Sequence, residues 1–470
     1  MMIQRALRCA GRRGDWLHLP AHCGGRGLPP EIRTLLHRRA GIWDLPELPG
    51  FGGPLEPSGA VAKSQQWAAE SMDAGRAWYG VNGATGLLQA GLLAITCPGE
   101  AVLMPRNVHC SLIQACVLGG IIPVLFDLPF LEDRGHAGVP NRDLLERVIR
   151  NLVTTTAIQN PAAAVLVHPT YQGYAADLKP LIHLLHDKGL PVLVDEAHGF
   201  HFACLTKPAL PTSALDAGAD MVVHSLHKSA AGLGQTAVLW LQGNRVDPNR
   251  VERSLNWFQT SSPSALLLAS CEAALSIWQL PSGRRHLCRC LEEAQVIATY
   301  LRHHGVPLLS TNDPLRLVVH TASAGFNGLD ADDWLVRRQI VAELPEPGTL
   351  TFCLGIIRRP GLARRLERAW RHLLASKVRR TDRLSFIEPP LPLVAQPDVM
   401  CSYAWYSSSE TLPLSQTAGH IAAEMVCPYP PGIPLLIPGE RIDSARASWL
   451  ESQRHLWPEQ IADSLRVMAR

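Results

Sequence analysis

Two short apolar runs near the middle of the chain each end in reactive side chains. Leu190-Pro-Val-Leu-Val194 leads into Asp195-Glu196-Ala197-His198, and Met221-Val-Val223 leads through His224 into Ser225-Leu226-His227-Lys228. Runs of this length, bounded by polar clusters, read as buried strands, and strands buried on both faces belong to parallel sheets covered by helices. Such sheets bind ligands at the carboxyl ends of their strands, where both polar motifs fall. An acid and a lysine 33 residues apart on consecutive strands therefore face one crevice.

That pair suits pyridoxal 5'-phosphate (PLP), which needs a lysine for its Schiff base and a carboxylate to keep its pyridine nitrogen protonated. Asp-Glu-Ala-His is also a helicase nucleotide motif, but the chain lacks the Gly-Lys-Ser/Thr loop which that reading requires. Read alone, Asp195 also suits a turn cap and Lys228 a solvated strand end. Against this stand the strand-like run before Asp195, the Ser and His beside Lys228, and an upstream loop. The loop, Val81-Asn82-Gly83-Ala84-Thr85-Gly86, enters the helix-like run from Leu87 to Ile95. Free backbone N–H groups and the helix dipole at such a start favour a phosphate, although Gly-x-x-Gly is also a common plain turn. Further on, Pro105-Arg106-Asn107-Val108-His109 offers His109 either as a ring to stack on a pyridine or as a partly buried structural histidine.

Short β-like runs (Ala101–Met104, Ile122–Phe126, Ala164–Val167, Pro191–Val194, Met221–His224, Thr236–Leu241) alternate with helix-like segments, which predicts an α/β fold with a mainly parallel sheet. Residues 1–60 read as a Pro/Gly-rich N-terminal arm and 61–304 as the major domain, entered by a helical pattern from Val61 to Trp78 and interrupted by a loop from Glu132 to Pro140. Residues 305–378 read as a smaller α+β domain with strands Leu315–His320 and Leu350–Leu354 and helices Ala331–Val341 and Gly361–Leu374. Residues 379–397 have the Pro-rich, charged look of a linker, and 398–470 form a C-terminal domain.

With 470 residues, 47% hydrophobic and 18% charged, the chain can bury several cores. A net charge of +3 implies neither a nucleic-acid nor a membrane partner, and no apolar run approaches a membrane span. Twelve cysteines lack regular spacing, and the close pair Cys288-Arg-Cys290 lies in a helical pattern, so no metal site is expected. Reduced thiols point to a cytoplasmic protein. The acid-free stretch from Met1 to Gly14, with Arg5, Arg8, Arg12 and Arg13, is read as a helical arm rather than a targeting peptide.

Taken in chain order, Pro105-Arg-Asn-Val-His109, Pro169-Thr-Tyr-Gln-Gly173, Asp195-Glu-Ala-His-Gly199, Ser225-Leu-His-Lys228, Gln259-Thr-Ser-Ser-Pro-Ser264 and Pro428-Tyr-Pro-Pro-Gly-Ile-Pro-Leu-Leu-Ile-Pro-Gly-Glu440 resemble the bacterial Orn/Lys/Arg decarboxylases. These are fold-type I PLP-dependent enzymes related to the aminotransferases, and the resemblance covers nearly the whole chain. It implies that Lys228 forms the Schiff base, Asp195 pairs with the pyridine nitrogen, Ala197 packs under the ring and His109 stacks above it. Ala84, Thr85, Ser225 and His227 would bind the phosphate, with Thr170 and His198 beside the ring and His198 a second proton carrier. Glu343 would meet the distal amine of the substrate, with Asp44 and Glu47 of the partner's arm as further acids.

The resemblance further implies a homodimer or dimer of dimers with shared sites, the segment Gln259–Ser264 lying near the partner's phosphate and the arm wrapping the partner. Family motifs begin at about residue 17, so the wing domain that some relatives carry is not expected. The implied reaction is decarboxylation of a basic amino acid, arginine or lysine before ornithine, giving a di- or polyamine precursor. Several positions depart from the family pattern: Ala21 and Cys23 in Pro20-Ala-His-Cys23, Gly52-Gly53 where paired aspartates are usual, Gly234 before Gln235, and Ala265 in place of a tyrosine. They remove two acids and an aromatic, which leaves open a non-basic substrate or other PLP chemistry such as transamination or an aldolase-like cleavage. A non-catalytic relative is disfavoured by the intact Lys228 and Asp195.

Overall fold

The computed structural model describes residues 14–469 except 38–39, 47, 157, 159, 206–209, 379, 382–383, 385, 428–433 and 458. Its centre is an eight-stranded sheet. In chain order the strands are β1 (Arg76–Gly80), β2 (Ala101–Pro105), β3 (Ile122–Phe126), β4 (Ala163–Val167), β5 (Val192–Asp195), β6 (Met221–Ser225), β7 (Ala237–Leu241) and β8 (Val394–Ala395). They lie side by side as β8-β3-β2-β4-β5-β6-β7-β1. The five strands from β3 to β6 run parallel, β7 runs against both β6 and β1, and β8 runs against β3.

Alternation along each strand feeds two cores. Leu103, Val124, Leu166, Val194 and Val222 pack to one side, and Val102, Val165, Leu193, Met221 and Val223 to the other. Every residue of β5 and β6 is buried, as expected of strands covered on both faces. The helix Gly83–Ile95 lies against the second side, where a Cβ on Gly91 would sit 3.4 Å from Leu193. Strand order reverses between β2 and β4, so the loops after β2, β4, β5 and β6 gather around one crevice.

Several local expectations are corrected. The helix expected from Val61 to Trp78 stops at Ser71; Asp73 turns the chain with φ 51°, and the following residues become β1. Trp78 and Tyr79 are buried there, and aromatic side chains suit a pleated, packed surface. The helix expected over Ala331–Val341 spans Gly328–Val336, and after a left-handed Gln339 (φ 62°) Ile340–Ala342 is a strand. That strand pairs in parallel with Asp15–Leu17, so the N-terminal arm docks on the small domain of its own chain. The arm's helix Pro30–His37 also packs inward, Leu28 and Ile32 meeting Ala273.

The expected loop Glu132–Pro140 contains half of a small hairpin, Phe130–Leu131 with His136–Ala137. The expected linker 379–397 carries β8, which adds an edge strand to the large sheet. The small domain holds a three-stranded antiparallel sheet, Arg316–Val319, Thr349–Cys353 and Leu344–Glu346, covered by the helices Gly328–Val336 and Leu362–Leu374. The C-terminal region pairs Ser409–Pro413 with Ser464–Met468. Positions 428–433 of the late motif lie outside the described residues. The motif's last residue, Glu440, is buried, 2.7 Å from Arg106 and 3.3 Å from Arg446. It ties the C-terminal region to the loop after β2.

Burial alone would raise the Glu440 carboxyl, but the Arg106 and Arg446 guanidiniums hold it below the usual range. Glu440→Gln should therefore lower unfolding stability in urea by about 3 kcal/mol at neutral pH. A depressed pKa contributes stability above the unfolded value of about 4.3 and loses it as the pH falls through the folded value. The difference between wild type and variant should accordingly shrink on acidification. A difference independent of pH would contradict the ion-pair account.

Candidate active site

The loops after β2, β4, β5 and β6 enclose a cavity of about 240 Å³. Its wall brings together Ala84, Thr85, His109, Thr170, Asp195, Ala197, His198, Ser225, His227 and Lys228. The register explains the central pair. Asp195 ends β5 opposite Val223 of β6, and Lys228 follows on the single helical turn Leu226–Ser229.

The two adjacent acids of the first motif face different surroundings. Asp195 lines the cavity, is 7% exposed, and accepts the Ala197 N–H at 3.1 Å. Glu196 points into the interior, where it accepts the Ala214 N–H at 2.9 Å and lies 2.7 Å from His224 Nε2. Trp240 Nε1–H donates to His224 Nδ1 at 2.8 Å, which puts the histidine's own hydrogen on Nε2, facing Glu196. Burial lifts the Glu196 carboxyl to about 8 and drops His224 to about 3.

Around Lys228 the basic groups crowd one another. Its Nζ lies 3.1 Å from His198 Nε2 and 5.2 Å from the centre of the Tyr171 ring, which in turn sits 4.1 Å from the His198 ring. Burial lowers the Lys228 ammonium's pKa, with Asp195 and Glu343 pulling the other way. Burial, then the Lys228 and Arg316 charges, push His198 well below its ordinary value. His227, half-buried and close to Lys228, is lowered to about 4 by desolvation and then by the Lys228 charge.

These residues fit PLP. The helix Gly83–Ile95 has no side-chain N-cap, and its first turn lines the cavity; Gly83 N–H donates to the Gln235 carbonyl at 2.8 Å, and the N–H groups that follow it form an anion end. Ser225 Oγ and His227 Nδ1, 3.0 Å apart, stand at that wall. Ala197 contributes a small side chain where a flat ring needs clearance, and His109 is held by the Ser111 N–H at 3.2 Å. A carboxylate and a lysine amine complete the set.

Glu343 is placed differently from the other expected site residues. It is not part of the cavity wall, and its Oε2 accepts the Leu19 N–H at 2.7 Å. Asp44 is exposed, and Glu47 lies outside the described residues. At Gly52 the backbone is left-handed (φ 73°) and a Cβ would lie 2.6 Å from the Ser58 carbonyl, so an aspartate has no room there. Ala21 donates its N–H to the His227 carbonyl at 2.9 Å, bringing the arm to the site, and Cys23 Sγ lies 2.8 Å from Arg359. Ala265 is buried.

Sequence reasoning assigned no role to Asn107, His136, Tyr171 and Gln172, which also line the cavity, or to Arg316 behind it. Tyr171, Gln172 and Asn107 fall inside the quoted motifs, so the motifs themselves were the available signal. His136 arrives on the unforeseen hairpin and Arg316 from the small domain, where no local pattern marks them.

Comparison with known proteins matches residues 17–320 to the major domain of the Orn/Lys/Arg decarboxylases and residues 388–456 to their C-terminal domain. The chain belongs to the Orn/Lys/Arg decarboxylase family. The arginine decarboxylase of Bacillus subtilis is 32% identical over 94% of this chain and 91% of its own length. That of Halalkalibacterium halodurans is 31% identical over 92% and 89%. Among solved structures, the constitutive lysine decarboxylase of Escherichia coli superposes with a TM-score of 0.75, at 19% identity, over 89% of this chain and 74% of that one. An aspartate aminotransferase from Thermus thermophilus gives 0.55 at 16% identity, over 74% of this chain and 96% of that one. The protein is thus a PLP-dependent amino acid decarboxylase with the fold-type I architecture.

Adding PLP to the decarboxylase should produce a visible absorption band, and Lys228→Ala should abolish it while far-ultraviolet circular dichroism is unchanged. A band of normal intensity in the variant would place the Schiff base on another lysine.

Proposed function

We propose that this decarboxylase acts on a basic amino acid, arginine or lysine before ornithine, and releases CO2 and the amine from which polyamines are made. The observation that carries the reading is the convergence of Lys228, Asp195 and the phosphate-type helix start on one cavity. Relatives named arginine decarboxylase, matching more than nine-tenths of the chain, support the substrate class.

When bound, PLP supplies an electron sink for the carbanion left by CO2 loss. The protein's own groups do the rest. Asp195 would hold the proton on the pyridine nitrogen; Ala84, Thr85, Ser225 and His227 would hold the phosphate; and Ala197, His109 and Thr170 would hold the ring. Leu88, Ala137 and Val167 make part of the wall apolar, which disfavours a substrate carboxylate relative to the dispersed charge that follows its loss. Lys228 Nζ and His198 Nε2, 3.1 Å apart, are the groups able to hand a proton to the α-carbon. Glu343, which acts electrostatically on both Lys228 and Arg316, is the candidate for the distal amine.

The active form is proposed to be a cytoplasmic homodimer or dimer of dimers. Thr260–Ser262 are exposed beside the loop that starts the phosphate helix, where Asn82 Nδ2–H donates to the Phe258 carbonyl at 2.7 Å. Trp257 on the same segment is 86% exposed, an apolar ring suited to burial by a partner. Among the described residues, no helix is long and apolar enough to cross a membrane.

A second reading, a non-basic amino acid substrate, is favoured by the hydrogen bond that already engages Glu343 and by the missing acids at Gly52-Gly53. Following CO2 and amine from arginine, lysine and ornithine in turn separates the two. Turnover of arginine or lysine is expected; CO2 from none of the three would move the substrate to the non-basic class. Asp195→Ala should retain PLP but lose turnover by at least about 100-fold. Undiminished turnover there would contradict the role given to Asp195.

A further inference from the structure

His198 stands between two basic side chains. Arg316 Nη2 lies 3.2 Å from its Nδ1, and Lys228 Nζ lies 3.1 Å from its Nε2. The residues are packed together and His198 is 5% exposed, Arg316 4%. A guanidinium only donates, so the His198 nitrogen facing it must be an acceptor, and the hydrogen of a neutral imidazole is left on Nε2. That N–H then points at Lys228 Nζ. An ammonium there would set hydrogen against hydrogen, whereas an unprotonated amine accepts the bond.

We infer that Arg316 is a positioning residue: it sets the tautomer of His198 and so presents Lys228 to the cofactor aldehyde as a free amine. The inference rests on the reading of Lys228 as the Schiff-base lysine and adds how that lysine is made reactive. The amine nitrogen attacks the aldehyde carbon, and water leaves as the C=N bond forms; an ammonium must first lose a proton to solvent.

Arg316 is itself held by built features. Asp313 Oδ2 is 3.7 Å from its Nη1, and Asp313 Oδ1 lies 2.9 Å from His201 Nε2. Gly173 (φ 91°) makes room for the stem, since a Cβ there would lie 2.8 Å from Arg316 Cγ. The other groups around Lys228 divide: Asp195, Glu343, Cys353 and the Tyr171 ring favour the ammonium, while burial and the neighbouring Arg316 disfavour it. The histidine tautomer decides which form finds a hydrogen-bond partner.

Two measurements on the full-length, cofactor-free protein test this. Long-range ¹⁵N–¹H correlation of histidine-labelled wild type should show His198 with its hydrogen on Nε2 and a bare Nδ1. The rate of visible-band formation with added PLP should be followed against pH. In Arg316→Leu the pH at which this rate rises should move up by about one unit, about tenfold slower at neutral pH and equal to wild type in alkali. Arg316→Lys, which keeps a charged donor, should restore the wild-type profile. A hydrogen on His198 Nδ1 in the wild type, or an unshifted profile in Arg316→Leu, would overturn the inference. A wild type that forms no band at any pH would instead overturn the reading of Lys228.

Discussion

The parallel pairing of β5 with β6 is the constraint on which the site depends. Register sets Asp195 opposite Val223 at the carboxyl edge, and the side-chain period of two decides which of the adjacent acids faces the crevice. A slip of one residue would exchange Asp195 for Glu196 and turn the apolar set of β5 from one core to the other. Glu196 guards against that slip. Its bonds to Ala214 and His224, and through His224 to Trp240 on β7, can form only in this register. A fully buried polar network of this kind is costly unless every member is satisfied, so it selects one arrangement of the strands.

Around that frame the electrostatics follow from burial. Lys228, His198 and His227 are brought together with little solvent, and each is pushed toward its neutral form. The charges that remain are assigned to partners: Arg316 to Asp313, and Arg106 to Glu440. Burial thus weakens the competition between the basic groups that share the cavity with the Asp195 carboxyl. These groups are the inventory that a cofactor with an aldehyde, a phosphate and a basic ring nitrogen requires.

Much of this was legible in the sequence because the relevant signals are local. The apolar runs of β5 and β6, the glycine-rich helix start and the Ser-x-His-Lys turn each carry their chemistry at the end of a recognisable element. Other features are not local. The helix pattern through Trp78 misled because Asp73 and Gly75 break it and Trp78-Tyr79 pair with β7, Tyr79 also bonding Ser64 and Gln65 of the preceding helix. Val394–Ala395 is too short to read as a strand, and only the exposed edge of β3 makes it one. Arg316 and His136 reach the site from segments that sequence periodicity cannot connect to it. Glu343 was found by resemblance, but its hydrogen bond to Leu19 depends on an arm-to-domain pairing that no local pattern announces.

The central claim is that Lys228, held opposite Asp195, is the lysine that captures the cofactor. The protein should be incubated with PLP, reduced with borohydride, digested, and its peptides mapped by mass spectrometry. The account predicts one pyridoxyl-phosphate adduct, on Lys228. An adduct on another lysine, or none, would contradict it.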